Sequence, residues 1–361
     1  MGYFVKLLIT GVCGFVGSTL TKSLVTEPWV SSICGIDNCS RRGSEFNRKL
    51  IEELGVHVIH GDIRSASDVD SLSNADWVID AAANPSVLAG VDGKTSSRQL
   101  VEHNLLGTIN LLEYCKRHQA GFCLLSTSRV YSIPGLANLR MGVIDDAFVP
   151  VPDQIFPTGI SINGVSETYS TLPPVSLYGS TKVASEQLTL EYGETYGFPV
   201  WINRCGVMAG AGQFGHPAQG IFAYWIHSFC EKKSLNYIGF GGSGNQVRDC
   251  MHPRDLIPLL RKQCLEEANN QLIPRICNVS GGSANSISLA NLTRWCESRF
   301  ELVPISGIDQ NRPFDIPWLV LDHGLATRIW DWEPQTKLPQ IAEEIAAFAE
   351  HESNWLAISA S

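Results

Sequence analysis

The glycine-rich turn near the start of the chain restricts the fold more than any other stretch. Phe4-Val5-Lys6-Leu7-Leu8-Ile9-Thr10 is an apolar run of strand length, Gly11-Val12-Cys13-Gly14-Phe15-Val16-Gly17 follows it, and Phe15, Val16, Leu20 and Leu24 then recur at helical spacing. A strand that feeds a helix through such glycines is a phosphate-binding arrangement. Small residues let the turn tighten, let backbone approach a pyrophosphate and let the helix sit close on the sheet, while the helix N-terminus favours negative charge. A glycine-rich turn of no consequence would look the same in isolation. The next apolar run, Ile33-Cys34-Gly35-Ile36-Asp37, ends on an acid 20 residues beyond Gly17, where a dinucleotide fold places the carboxylate that takes the adenosine ribose hydroxyls. Asp37 therefore favours NAD over NADP. Arg41 and Arg42 could instead meet a 2′-phosphate, but a carboxylate beside that phosphate would repel it.

Further strand-like runs lie at Val56 to His60, Trp77 to Ala82 and Phe122 to Ser126, with helical segments such as Leu105 to Arg117 between them. Strands alternating with helices predict an α/β fold, a doubly wound parallel sheet of the Rossmann kind, whose ligands bind at the carboxyl ends of the strands. At those ends stand Gly61-Asp62-Ile63, Ala81-Ala82-Ala83-Asn84 and Ser126-Thr127-Ser128. Asp62 can accept from an adenine amine or cap its own turn; the residue type allows both. The small alanines would let the second ribose lie against backbone. A strand over Trp201 to Arg204 is expected to close the sheet, after which the chain becomes irregular and glycine-rich as far as Gly220.

Tyr178 and Lys182 stand four apart on a segment that reads as helix from Thr181 to Glu191, so both share one face. A free phenol titrates near pH ~10 and is a poor base at neutral pH until a nearby cation favours its phenolate. Lys182, helped by a positively charged cofactor ring, could supply that cation and fit Tyr178 for oxidation of a hydroxyl. The bland alternative is two residues on a solvated helix face.

Composition limits the remaining choices. With 361 residues, 44% hydrophobic and 17% charged, the chain can bury a large α/β domain with an elaborated second lobe. The net charge of -9 argues against non-specific binding to nucleic acid or anionic membrane. No apolar run approaches the roughly 20 residues of a membrane span, and Met1 to Thr10 reads as structure, not as a signal peptide. Eleven cysteines, an odd number without CxxC or Cys/His grouping, and nine scattered histidines predict reduced thiols, a cytoplasmic protein and no metal site.

Taken in order and spacing, Thr10 to Gly17, Asp37-Asn38, Gly61-Asp62-Ile63-Arg64, Asn104 to Glu113, Ser126-Thr127-Ser128-Arg129-Val130-Tyr131 and Tyr178 to Lys182 resemble the extended short-chain dehydrogenase/reductases that act on nucleotide sugars. The resemblance spans nearly the whole chain and makes a chance Tyr/Lys pair improbable. Within that superfamily the chain is most similar to the CDP-paratose 2-epimerases, also called CDP-tyvelose epimerases. Arg129 matches a basic position of that family, and likeness continues in Gln219-Gly220, Gly244 to Asp249 and Asn285 to Leu289. Nucleotide-sugar 4,6-dehydratases carry Asp-Glu directly after the threonine, where this chain has Ser128 and Arg129, and neither can perform that carboxylic acid–base step at neutral pH. One departure concerns the substrate: UDP-galactose 4-epimerases have an asparagine three residues after the strand's arginine, and this chain has Val207.

The resemblance implies Thr127, Tyr178 and Lys182 as catalytic residues. For NAD it implies Gly11, Cys13, Gly14, Phe15, Val16, Gly17, Asp37, Asn38, Ser40, Arg41, Asp62, Ile63, Ala81, Ala82, Ala83, Asn104 and Ser126, with Tyr178 and Lys182. For the nucleotide diphosphate it implies Gln219, Arg248 and Arg312, since a guanidinium fork can meet two phosphate oxygens at once. Without it, Arg248 would read as a surface ion pair with Asp249. The expected organisation is a dinucleotide-binding domain over 1–204 and a smaller substrate lobe over 205–361 with segments that return to the sheet. Ser132 to Ser176 is expected to cover the sugar, Leu289 to Phe300 and Leu338 to His351 to be amphipathic helices, and the tail beyond to fray. The implied activity is epimerisation of a nucleotide-diphosphate sugar at carbon 2, with carbon 4 as runner-up, in a homodimer or homotetramer. Its rivals are a dehydratase, a ketoreductase and a non-catalytic cofactor-binding or RNA-associated protein.

Overall fold

Seven parallel strands form the central sheet of the computed structural model, which describes residues 4–359 apart from 92, 94, 95, 218, 267–271 and 311. Met1 to Tyr3 of the expected first strand and Asn311 of the Arg312 segment lie outside the described residues. The strands are β1 (Val5–Thr10), β2 (Val30–Asp37), β3 (His57–His60), β4 (Trp77–Asp80), β5 (Gly121–Thr127), β6 (Val200–Cys205) and β7 (Ile276–Val279). Their order across the sheet is β7-β6-β5-β4-β1-β2-β3, every pairing parallel. The chain reverses direction across the sheet between β1 and β4, and a crevice opens there at the carboxyl ends.

Helices cover both faces, so the strands read as near-continuous apolar runs. On one face Leu7, Ile9, Trp77, Ile79 and Trp201 pack with Leu20 and Leu24 of α1 (Phe15–Leu24) and with Leu256, Leu260 and Trp330. On the other, Leu8, Val78, Phe122, Leu124 and Ile202 pack with Leu111, Leu112 and Cys115 of α2 (Gly107–His118). The helix that carries Tyr178 and Lys182 is α3 (Ser176–Tyr196). β6 does not close the sheet as expected: β7, seventy residues further on, pairs outside it. Its short run, Ile276 to Val279, is only four residues long and carries the polar Asn278, although the helical stretch before it, Ile257–Arg261, packs on the same sheet.

Beyond β6 the chain builds a small sheet from Val207–Met208, Val247–Met251, Ser286–Ser288 and Trp318–Leu319, backed by helices Ile221–Cys230, Leu289–Arg299 and Leu338–His351. As far as Ser359, the last described residue, the tail does not fray after His351. A further helix, Trp355–Ser359, is seated by Trp355, whose ring stacks on Phe214 at 5.5 Å and whose Nε1 donates to the Gln213 carbonyl at 2.9 Å. The insertion Ser132 to Ser176 also departs from expectation. Its two hairpins, Met141–Ile144 with Ala147–Pro150 and Ile160–Ser161 with Gly164–Val165, share a core with Val247 and Trp318 to Leu321. None of its residues lines the cleft; it packs against the small sheet instead.

Candidate active site

A cleft of about 530 Å³ runs along the carboxyl ends of the strands, a size for small ligands. At one end the glycines form its floor. Gly11 has φ +59, and a Cβ there would stand 2.9 Å from the Ala82 Cα; a Cβ at Gly17 would stand 2.2 Å from the Gly11 carbonyl oxygen. Side chains at either position would push the turn off β4 or lift α1 from the turn. No side chain caps α1, whose Gly14 N-cap and first residues Phe15 and Val16 line the cleft, so its amide donors face the space a pyrophosphate would take. Asp37 Oδ2 accepts from the Cys13 amide at 2.9 Å and Oδ1 from the Cys39 amide at 2.8 Å, which fixes the carboxylate at the cleft edge. Burial raises its pKa and these amides lower it. Backbone room, a helix N-terminus and a held carboxylate together fit a dinucleotide.

Most of the predicted dinucleotide residues line this end: Gly11, Gly14, Phe15, Val16, Gly17, Asp37, Asn38, Ser40, Arg41, Ile63, Ala81, Ala82, Ala83 and Ser126. Cys13, Asp62, Asn104 and Lys182 do not. Cys13 is buried and contributes its amide to Asp37. Asp62 holds Arg64 at 2.6 Å, accepts from Asn38 Nδ2 at 2.9 Å and receives the Arg64 amide, so its carboxyl is held well below the usual range chiefly by Arg64. Of its two readings the structure favours the turn. Asn104 exchanges hydrogen bonds with the Asn84 backbone at 2.8 and 3.1 Å and reaches Thr181 Oγ1 at 3.2 Å, tying the loop after β4 to α3 from behind. Arg41 turns to the Gln219 side chain at 2.8 Å and lies 4.7 Å over the Phe214 ring.

At the middle of the cleft stand Thr127, the last residue of β5, and Tyr178, on the first turn of α3. Tyr178 is 6% exposed, and it and Thr127 line the same stretch of the cleft. Burial raises the phenol's pKa; the neighbouring Thr127 hydroxyl and then the Arg129 charge oppose that rise. The lowering expected from Lys182 is not among these influences. Lys182 is buried, burial lowers its own pKa, and the carboxylates Asp80 and Glu186 hold its charge.

Sequence reasoning missed the support beneath this pair. Glu186 accepts from Ser126 Oγ at 2.5 Å and takes Arg204 through Nε and Nη2, the latter at 2.7 Å; Arg204 Nη1 reaches the Tyr131 hydroxyl at 3.3 Å, and that hydroxyl donates to Asn278 Oδ1 at 2.6 Å. Glu186 stands four residues after Lys182 on the same helical face, which was the available signal.

At the far end Arg129, Arg248 and Arg312 line the cleft with Phe314 and Asp315. Arg248 pairs with Asp315 at 3.3 Å and not with Asp249, whose Oδ2 accepts the Leu321 amide at 3.0 Å. Arg312 donates to the Pro217 carbonyl at 3.2 Å and Arg129 to the Phe314 carbonyl at 3.2 Å. Three guanidinium groups and one carboxylate make a wall suited to an anion. Val207 lines the cleft at the position noted as a departure.

The pattern of the NAD dependent epimerase/dehydratase family matches residues 7–280. The chain belongs to that family. It is thus an NAD-dependent enzyme. Among the family's members, CDP-paratose 2-epimerase of Salmonella typhi is 29% identical over 348 residues, 91% of this chain and 95% of that protein. A dTDP-glucose 4,6-dehydratase of Salmonella typhimurium is 23% identical, over 91% of this chain and 88% of that protein. The fold is shared with UDP-glucuronic acid 4-epimerase of Bacillus cereus, solved with UDP-glucuronic acid and NAD, at a TM-score of 0.71 and 22% identity, over 96% of this chain and 99% of that one.

Proposed function

We propose that the protein epimerises a nucleotide-diphosphate sugar, with NAD retained and regenerated in each turnover. The observation that carries this over dehydration is the set of carboxylates in the cleft. Among the described residues that line it, only Asp37 and Asp315 bear one, the first held at the adenosine end by amides and the second paired with Arg248. Ser128 and Arg129 follow Thr127 where elimination of water would need a carboxylic acid and its base. The roles follow from position. Tyr178, as phenolate, takes the proton from a ring hydroxyl, and Thr127 hydrogen-bonds the reacting oxygen and relays the proton. Lys182, assigned by the family resemblance to the nicotinamide ribose, is buried one turn along α3 from Tyr178 and adds positive charge on the helix side, while Arg248 and Arg312 grip the diphosphate. Bound NAD supplies the chemistry of hydride removal and return, the return falling on the opposite face of a ketone that has turned over in the site. On this reading residues 1–204 carry cofactor and catalytic groups, and 205–361 mainly hold the sugar nucleotide. Similarity to the Salmonella typhi enzyme favours carbon 2 of a CDP-sugar such as CDP-paratose, giving CDP-tyvelose.

The test is to assay denatured protein for released NAD, then to incubate intact enzyme with a panel of nucleotide sugars in deuterium oxide. Epimerisation by direct hydride return leaves the product free of solvent deuterium and needs no added reduced cofactor. Deuterium beside a carbonyl, with loss of water, would replace epimerisation by dehydration, and inversion at carbon 4 would overturn the carbon 2 assignment.

A further inference from the structure

We propose that Gln219 is a specificity-determining residue for the dinucleotide: it holds the Arg41 guanidinium against Phe214 and so withholds from a 2′-phosphate the arginine that this end of the cleft carries. The inference rests on the reading of the glycine end as the dinucleotide site. Asp37 and Arg41 line the same edge of the cleft, Asp37 as the last residue of β2 and Arg41 four residues on. At such an edge a carboxylate takes the ribose hydroxyls, and an arginine is the group that accommodates a 2′-phosphate. Arg41 is the arginine placed for that task. Arg42 is exposed and does not line the cleft, and Arg129, Arg248 and Arg312 stand at the sugar end.

Contacts from the second lobe commit Arg41 elsewhere. Its Nη1 donates to Gln219 Oε1 at 2.8 Å, and its guanidinium carbon lies 4.7 Å from the centre of the Phe214 ring, within the range of a cation–π contact. Phe214 is itself wedged: it stacks on Trp355 at 5.5 Å, and a Cβ at Gly43, two residues past Arg41, would stand 2.9 Å from its Cε1. Gln219 is pinned by two backbone hydrogen bonds exchanged with His216, at 2.8 and 2.9 Å. The start of the arginine side chain is fixed too, because the Arg41 carbonyl accepts from Ser44 Oγ at 2.6 Å. The resemblance implies Gln219 for the nucleotide diphosphate, yet its side-chain oxygen is taken by Arg41. A neutral amide directs the guanidinium fork without cancelling its charge, and burial brings Arg41 only to about 10, so it stays cationic at neutral pH. Held by Gln219, Arg41 leaves Asp37 to repel a 2′-phosphate; released, it becomes a fork able to meet two phosphate oxygens.

The experiment needs no sugar and reads binding alone. Purified protein is incubated with equal, excess concentrations of NAD and NADP until its bound content no longer changes, then denatured, and the two released dinucleotides are quantified. Gln219→Leu should raise the bound ratio of NADP to NAD about tenfold or more, the size of one charge-assisted hydrogen bond. Gln219→Glu, which pairs the guanidinium with a charge, should leave the ratio at or below that of wild type. In the double variant Arg41→Leu with Gln219→Leu the rise should vanish. An unmoved ratio in Gln219→Leu, an equal rise in Gln219→Glu, or a rise that survives loss of Arg41 would overturn the inference in favour of a purely structural tie between the lobes. Gln219→Ala takes the place of the leucine variant if the latter retains neither dinucleotide, with the same outcomes. Gly17→Ala separates the two readings. Undiminished NAD in that variant would remove the site and this inference with it, whereas loss of NAD there beside an unmoved ratio in Gln219→Leu refutes only the role of Gln219.

Discussion

The two ends of the cleft are built by different means. The glycine end, read as the dinucleotide site, is mainly backbone, with the Asp37 carboxylate at its edge: a turn at positive φ, glycines that a methyl group would displace and the uncapped start of α1. The sugar end is side chain, with Arg129 after β5, Arg248 on the small sheet, and Arg312 and Asp315 more than sixty residues later. Backbone geometry recognises what every dinucleotide shares, whereas side chains drawn from distant segments can be exchanged one at a time. The first end is therefore fixed by the fold, and the second is where one member of this family can differ from another.

If chemistry and cofactor binding are separable in this way, Tyr178→Phe gives the largest effect on rate and none on NAD. Loss of a positioned acid–base group lowers turnover by about 10²- to 10⁴-fold, up to about 5 kcal/mol. Activity near wild type in a variant that still carries NAD would remove Tyr178 from the mechanism. Arg204→Met tests what the two ends share. It leaves Glu186, fully buried, without its bidentate partner and should cost about 3–5 kcal/mol of stability, read as a lowered denaturant midpoint. Replacing both residues by apolar ones should cost much less than the single change. If it does not, the pair contributes more than mutual compensation.

The contrast also explains what could be read from the sequence. The glycine turn, Asp37 and the alternation of strands and helices are local patterns, and the sheet follows from them. Tyr178, Thr127 and Lys182 could be named because motif spacing survives in the linear chain. The position of β7 could not, since its four residues sit between segments of the second lobe and include the polar Asn278. Nor could the place of the insertion Ser132 to Ser176: its packing depends on Val247 and Trp318, which only the folded chain brings to it. Asp62 was ambiguous for a different reason, because a turn carboxylate and an adenine acceptor call for the same residue type, and only Arg64 beside it decides. The fraying expected of the tail failed on one residue, Trp355, whose partner Phe214 stands far away in the chain.

Matched substitutions at the two ends sharpen the comparison further. Arg248→Met removes a charge-assisted donor from the sugar end and should raise KM for the nucleotide sugar by about 10- to 100-fold, equivalent to roughly 1.5–3 kcal/mol, with NAD affinity unchanged. Gly17→Ala should do the converse. Its Cβ, 2.2 Å from the Gly11 carbonyl, forces backbone apart, weakens NAD binding and destabilises by about 1–3 kcal/mol. Equal losses of both ligands in either variant would show that the ends are coupled and would break the division drawn above.

The smallest effect concerns acid. His227, on helix Ile221–Cys230 whose first residues line the sugar end, is 1% exposed and packs edge-on to Phe348 at 5.9 Å. Neither ring nitrogen has a hydrogen-bond partner among the described residues, and burial brings its pKa from 6.5 to about 4. The folded protein holds the imidazole neutral while the unfolded chain takes up a proton near 6.5. The contribution is therefore complete above pH 6.5 and is lost as pH falls toward 4. Relative to His227→Phe, the wild type should lose about 1.4 kcal/mol of stability for each pH unit in that window, a difference that cancels every other titrating group. Amide exchange should locate the loss in Ile221–Cys230 before β1 and β4 respond, since those strands lie at the centre of the sheet. Parallel stability curves for the two proteins would mean that water reaches the ring, and the sugar side of the molecule would then be no more sensitive to acid than the dinucleotide side.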